Sequence, residues 1–275
     1  MQLLVTALRP EAEPLIAHLG LKRDLSVKSH ELFVGSDHLL IVSGVGSVRS
    51  AIATTLALTP LERTPLVVAN IGIAGGPKNI PIGSPVRAVK LTDSITSEHF
   101  YPDVTIKLPF TPVELLTSPK PYEQNSPDYK MKFVVDMEAT GFFRAAQSFV
   151  PLERIQIVKV VSDHFTKNGM NKTHIATCIE GNVEEILDSL ATCAQVIQDA
   201  SPNALLEEEL RVINALESRF SLTHSQKRIL QEKIISVRIR NGETKTTQAL
   251  DIAENSPSEL SAKRVFQQVL DVITS

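Results

Sequence analysis

The chain has 275 residues, 43% of them hydrophobic, and carries 28 basic against 31 acidic side chains for a net charge of −3. That is enough for one large core with an appended unit, and it provides no overall field to gather nucleic acid or an anionic membrane. Two cysteines, Cys178 and Cys193, exclude a disulfide framework and suit a reducing compartment. The opening Met1-Gln2-Leu3-Leu4-Val5 lacks a charged leader and reaches Arg9-Pro10 too soon for a signal peptide. No apolar run approaches membrane-spanning length, so the expectation is a cytoplasmic protein.

Leu3-Leu4-Val5-Thr6-Ala7 is a short apolar run of the buried-strand kind. Pro10 then starts a helix carrying Glu11, Leu15, Ile16 and Leu19, which places Glu11 close to a strand end. Leu39-Leu40-Ile41-Val42-Ser43 is a second such strand, turned by Gly44-Val45-Gly46-Ser47 into a helix from Val48 to Leu58. Leu66 to Ile71 is a third, continuous and aliphatic as a strand covered on both faces should be, and it ends in Gly72-Ile73-Ala74-Gly75-Gly76. After a turn at Pro81-Ile82-Gly83-Ser84, Val86 to Leu91 is a further strand. Residues 93 to 131 are rich in proline and polar side chains, with Tyr101, Phe110, Tyr122 and Tyr129 among them, and read as a loop that lines a pocket.

Met131 to Val135 is the next strand; it runs into Asp136-Met137-Glu138 and a helix to Phe149 with Ala139, Phe142, Phe143 and Ala146 on its apolar side. Ile155 to Val161 is another strand, ending in Ser162-Asp163-His164, and the amphipathic helix from Val183 to Ile197 closes a first domain, residues 1–201. Ser201-Pro202-Asn203 marks the boundary to residues 202–275, which read as three helices. Leu206, Leu210 and Ile213 define the first, and Ile229, Ile234 and Val237 the second. The third is started by the capping box Ser256-Pro257-Ser258-Glu259 and runs through Phe266, Val269 and Ile273. Lys227, Arg228, Lys233, Arg238 and Arg240 gather on the second helix and read as a solvated face. Strands alternating with helices and glycine turns mean a layered α/β sheet, here with a helical extension.

The histidines are scattered without metal-ligand spacing, so no metal is expected. Gly44-Val45-Gly46 lacks the rest of a dinucleotide fingerprint and no Walker-type lysine is present, so no cofactor is expected either. Ser43, Ser47 and Ser162 have no nucleophile elbow around them, and Ser162 is better placed to hold Asp163. What remains is three strand ends offering Glu11, Glu138 and Asp163. Converging carboxylates suit cleavage at an anomeric carbon, where one group activates water, one protonates the leaving group, and negative charge steadies an oxocarbenium-like cation.

These residues resemble a known family over roughly residues 1 to 199. Thr6-Ala7-Leu8-Arg9-Pro10-Glu11, Ser43-Gly44-Val45-Gly46, Asn70-Ile71-Gly72-Ile73-Ala74-Gly75-Gly76, Val135-Asp136-Met137-Glu138-Ala139-Thr140 and Val161-Ser162-Asp163 follow one another as do the motifs of the nucleoside phosphorylase and nucleosidase family. The 5′-methylthioadenosine/S-adenosylhomocysteine nucleosidases are its most similar branch. The resemblance implies a three-layer α/β/α fold with a mixed central sheet, assembled as a homodimer or larger oligomer, acting on a small-molecule nucleoside without nucleic acid or membrane partners. It implies that Glu11 activates water and that Asp163, oriented by Ser162, protonates N7 of the departing purine. Glu138 would take the ribose hydroxyls, Met137 would pack on the sugar, and Ala74 and Gly75 would lie near the ribose and the water. Tyr122, in Ser118-Pro119-Lys120-Pro121-Tyr122, would stand in for the family's base-stacking aromatic. Ile73 replaces a frequent serine, Asp136 shortens the first acid of Glu-Met-Glu-Ala, and His164-Phe165 replaces a small residue and an acid. Arg9 and Arg49 leave phosphorolysis as one alternative, and a non-catalytic nucleoside-binding module on the same fold is another. The helical extension is expected to serve an oligomer contact or a lid.

Overall fold

A computed structural model of the chain describes residues 1–61, 67–121, 133–166, 171–200, 205–242, 244–257 and 260–274. The chain divides into two compact units, Met1–Ile197 and Gln198–Ser275. In the first unit, β1 (Gln2–Thr6) leads through α1 (Arg9–Leu19) to the hairpin strands β2 (Lys22–Asp24) and β3 (Glu31–Val34), then β4 (His38–Val42) and α2 (Ser47–Leu58). There follow β5 (Val67–Gly75), β6 (Pro85–Asp93), β7 (His99–Phe100), β8 (Thr111–Thr117), β9 (Phe133–Asp136), α3 (Ala139–Ala146), β10 (Ile155–Asp163), α4 (Lys172–Glu180) and α5 (Val183–Ala200).

All ten strands form one mixed sheet in the order β10-β6-β8-β9-β5-β1-β4-β3-β2, with β7 on β6 and a further pairing of β10 with β5 that closes part of the sheet on itself. β1, β4, β5 and β10 run parallel. Such strands are covered on both faces, which is why β5 and β10 are near-continuous buried aliphatics. One face packs Ala53, Ala57 and Leu58 of α2 and Phe142, Phe143 and Ala146 of α3 against Leu3, Val5 and Val68. The other packs Leu15 of α1, Ile179 of α4 and Ile186 and Leu190 of α5 against Leu4 and Ala69. The three layers follow from these two opposite apolar faces.

Parallelism also sets where chemistry can occur. The C-terminal ends of β1, β4, β5 and β10 all point the same way, so the residues after Thr6, Val42, Gly75 and Asp163 are brought to one edge. β9 enters antiparallel to β5, and the two meet at Gly75 and Val135, so the Asp136-Met137-Glu138 turn joins the same edge.

Several expectations are corrected. Residues 93 to 131 are not one loop: β8 lies inside the sheet between β6 and β9. Its Val113, Leu115 and Thr117 alternate inward as a half-buried strand should. Pro112, which reads as a breaker, is exposed and stands opposite Arg87 of β6. The hairpin β2–β3 and the helix α4 add to the elements read from the sequence; β2 has no apolar residue, and the apolar run of β3 is three residues long. The described residues of the second unit form four helices rather than three: α6 (Glu207–Arg219), α7 (His224–Asn241), α8 (Thr246–Asn255) and α9 (Ala262–Thr274). Ser256 does not start the last helix but ends the one before it, its N–H donating to the Ile252 carbonyl at 3.2 Å. The Arg219 guanidinium closes the same end by donating to the carbonyls of Ala253, Glu254 and Ser256 at 2.8, 2.9 and 2.6 Å. This unit has its own core, built on Val212, Leu216, Leu230, Ile234, Ala253 and Val269. On α7, Lys227 pairs with Glu217 and Arg238 with the buried Glu209, so part of its positive charge is spent within the unit.

Candidate active site

Glu11 sits in the first turn of α1 and is 2% exposed. Its Oε2 accepts the N–H groups of Ala7 and Leu8, each at 2.8 Å, and its Oε1 accepts Ile73 N–H at 3.0 Å. A carboxylate has about four acceptor positions, so three donors fix the group and leave Oε1 able to take one more. The approach is close enough that a Cβ on Gly72 would lie 2.8 Å from Oε1, which is why glycine stands there. Ile73 therefore serves the acid through its main chain.

Glu138, also buried, makes no cap on α3 and accepts Gly46 N–H at 2.9 Å; Gly46 has φ +109°, a conformation that calls for glycine. Asp136 has a different use. Its Oδ1 accepts Thr117 Oγ1–H at 2.8 Å, and its Oδ2 accepts Ala139 N–H at 2.8 Å and pairs with Lys159 Nζ at 2.9 Å. Lys159, in the middle of β10, has a side chain only 2% exposed. Burial alone would lower its pKa, but Asp136, Glu138 and Glu11 together hold it above the usual lysine range. Burial raises the Glu11 carboxyl against the pull of Lys159 and the backbone donors. Burial likewise pushes Glu138 up to about 7, aided by Asp136 and Glu11 and opposed by Lys159 and Gly46 N–H. Among the described residues, Lys159 thus faces three acids, Asp136, Glu138 and Glu11, in one buried patch.

Asp163 ends β10. Its Oδ2 lies 2.8 Å from Ser162 Oγ, and its Oδ1 accepts Thr166 N–H at 3.2 Å; Ser162 Oγ also lies 3.3 Å from the Ala74 carbonyl. Two histidines buttress the strand ends from outside. His174 Nε2 is 2.9 Å from the Ser162 carbonyl, and His164 Nδ1 is 3.1 Å from the Gly76 carbonyl. His164 in place of a small residue is thereby accounted for.

These groups enclose a cavity of about 160 Å³. Of the residues singled out in the sequence, Glu11, Ala74, Gly75, Met137, Glu138, Ser162 and Asp163 all line it. Tyr122 lies outside the described residues, although Lys120 and Pro121, immediately before it, line the cavity. Arg9 is turned outward, pairing with Glu13 and Glu31 at 3.3 and 3.1 Å and covering the Phe33 ring, and neither it nor Arg49 lines the cavity. Lys159 and Phe165 were not assigned a place in the site by sequence reasoning. The signal for Lys159 was present: one charge inside Ile155-Gln156-Ile157-Val158-Lys159-Val160-Val161, a strand that must be buried, needs a buried partner. No group of three or more metal-ligating side chains occurs among the described residues, and no described helix is long and apolar enough to cross a membrane.

No family model and no curated protein matches the chain. Solved structures do. The 5′-methylthioadenosine/S-adenosylhomocysteine nucleosidase of Helicobacter pylori, in complex with butyl-thio-DADMe-Immucillin-A, is 13% identical over 70% of this chain and 97% of its own, with a TM-score of 0.59. The corresponding nucleosidase of S. pneumoniae with the transition-state inhibitor MT-ImmA is 18% identical over 69% and 98%, with a TM-score of 0.57. The futalosine hydrolase of Helicobacter pylori is 14% identical over 70% and 97%, with a TM-score of 0.58. The sequence motifs and the strand order thus meet in one result: this chain has the three-layer fold of the 5′-methylthioadenosine/S-adenosylhomocysteine nucleosidases and futalosine hydrolase, followed by a separate helical unit.

Proposed function

We propose that the protein is a nucleosidase that hydrolyses the N-glycosidic bond of a purine nucleoside, with a 5′-modified adenosine such as methylthioadenosine, S-adenosylhomocysteine or 5′-deoxyadenosine as substrate. The observation that carries this reading is the meeting of Glu11, Glu138 and Asp163, from three separate parts of the chain, around one cavity. Glu11, its carboxyl raised by burial and with one acceptor position left, takes a proton from water as the water attacks the anomeric carbon. Glu138 accepts the ribose hydroxyls, and the surplus of carboxylate over Lys159 favours the positive charge that builds on the sugar. Asp163, steadied by Ser162 and Thr166, delivers a proton to N7 as the bond to the base breaks. The products are the free base and the free sugar. Phosphate as nucleophile would need a cation at the attacking face, and Arg9 is engaged elsewhere.

The test is base release from methylthioadenosine, S-adenosylhomocysteine, 5′-deoxyadenosine, adenosine and inosine, each with and without phosphate. Release independent of phosphate supports hydrolysis. Strict phosphate dependence would make the protein a phosphorylase, and silence with every nucleoside would leave a binding module.

A further inference from the structure

Phe165, two residues beyond Asp163, has no role in the mechanism above, yet it is 5% exposed and lines the cavity. Its backbone has φ +59°, in the left-handed region that a bulky aromatic residue rarely adopts. That turn does two things at once. It folds Thr166 N–H back onto Asp163 Oδ1 at 3.2 Å, and it lays the phenyl ring over Gly75. A Cβ on Gly75 would lie 3.1 and 3.3 Å from Cδ1 and Cε1 of the ring and 3.4 Å from Asp163 Oδ1. Ring and acid therefore share the space above one glycine. Behind the ring, Val135 packs with it, and Leu116 and Phe133 pack around the pair, so its position is set from the far side.

From this juxtaposition we infer that Phe165 is the aromatic wall of the base subsite, packing against the purine that Asp163 protonates. The inference rests on the nucleosidase reading for the identity of the leaving group. A group that receives its proton from Asp163 must lie beside that carboxyl, and the apolar surface adjoining it is the Phe165 ring. Every purine presents a flat π surface, whereas a phenyl ring offers no hydrogen bond. Phe165 therefore contributes affinity for purines in general and no discrimination between adenine and hypoxanthine. It also leaves little room at Gly75, where a Cβ would press on the ring at 3.1 Å.

Equilibrium binding of free adenine and hypoxanthine to the full chain tests this without depending on turnover. Phe165→Gly, which suits the left-handed backbone, should weaken both bases by about 5- to 100-fold, the loss that removal of one base–aromatic contact brings. The ratio between the two bases should stay unchanged, and KM should rise more than kcat falls. The chain has no tryptophan, so Phe165→Trp adds a lone reporter whose fluorescence should be quenched saturably by adenine. Unaltered base affinity in a folded Phe165→Gly, or an indole indifferent to adenine, would overturn the inference. If the glycine variant does not fold, the tryptophan variant decides alone. Wild-type base release is measured alongside. If it is normal while the Phe165 variants bind as wild type, only the wall is lost. If it is absent while adenine still quenches the indole, the hydrolysis reading fails and the subsite stands.

Discussion

Lys159→Met removes the cation that pairs with Asp136 in the buried patch. The wild-type pair is 2.9 Å long, with side chains 2% and 0% exposed. Breaking such a pair on one side leaves an uncompensated charge and costs about 3–5 kcal/mol, equivalent to roughly 6–20 °C in Tm for a unit of this size. Asp136 would keep the donors Thr117 and Ala139, which points to the lower part of that range. Removing the other charge as well should restore most of the loss, since a neutral pair of similar shape has no stranded ion. The assay is thermal and urea unfolding of Lys159→Met, Asp136→Asn and the double variant, read as a double-mutant cycle. Activity should behave differently. Lys159 is the main force holding down the pKa of both Glu11 and Glu138, so the double variant should regain stability without regaining turnover near neutral pH. A Lys159→Met chain as stable as wild type, or a double variant no more stable than the weaker single variant, would refute this account of the patch.

Asp163→Asn should lower kcat by about 10²–10⁴ with KM little changed, because proton donation acts in the transition state; steady-state kinetics at saturating nucleoside checks it. The Glu138 carboxyl stands at about 7 in the folded chain against an ordinary 4.5. The native state therefore holds the extra proton, and the stability this proton confers is complete below about 4.5 and is lost as pH rises through about 7, roughly 3 kcal/mol at most. Glu138→Gln should flatten that part of the unfolding free energy measured from pH 5 to 8. Gly141→Ala would put a Cβ 1.9 Å from the Ser47 carbonyl where α3 meets α2; a loss of about 3 kcal/mol or more, or insoluble protein, is expected.

The fold class and the residues that line the candidate cavity were both legible in the sequence, whereas several individual elements were not. Glu11, Glu138 and Asp163 could be found because each follows a strongly apolar strand, and parallel strands deliver their ends to one edge. Asp136, by contrast, looked like a weakened member of an acid pair. Its meaning depends on Lys159 and Thr117, from β10 and β8, and neither the spacing nor the composition of its own segment announces them. β8 was hidden by Pro112 and Glu114, both exposed: Pro112 stands opposite Arg87 of β6, and Glu114 turns outward to Lys90. The capping box at Ser256 was a true local signal with another owner. Ser256 closes α8 through contacts with Ile252 and Arg219, a tertiary outcome that the four-residue pattern cannot distinguish from a helix start. Phe165 was visible as an unusual residue after Ser-Asp, but only its left-handed backbone shows the ring turned into the cavity.

The central claim is that Glu11 activates water against the sugar and that Asp163 releases the base. Its most direct test is turnover of methylthioadenosine in ¹⁸O-labelled water, with mass spectrometry of both products. The account predicts one ¹⁸O in the free sugar, none in the base, no requirement for phosphate, and loss of the signal in Glu11→Gln. A sugar phosphate as product, or unimpaired turnover by Glu11→Gln, would contradict it.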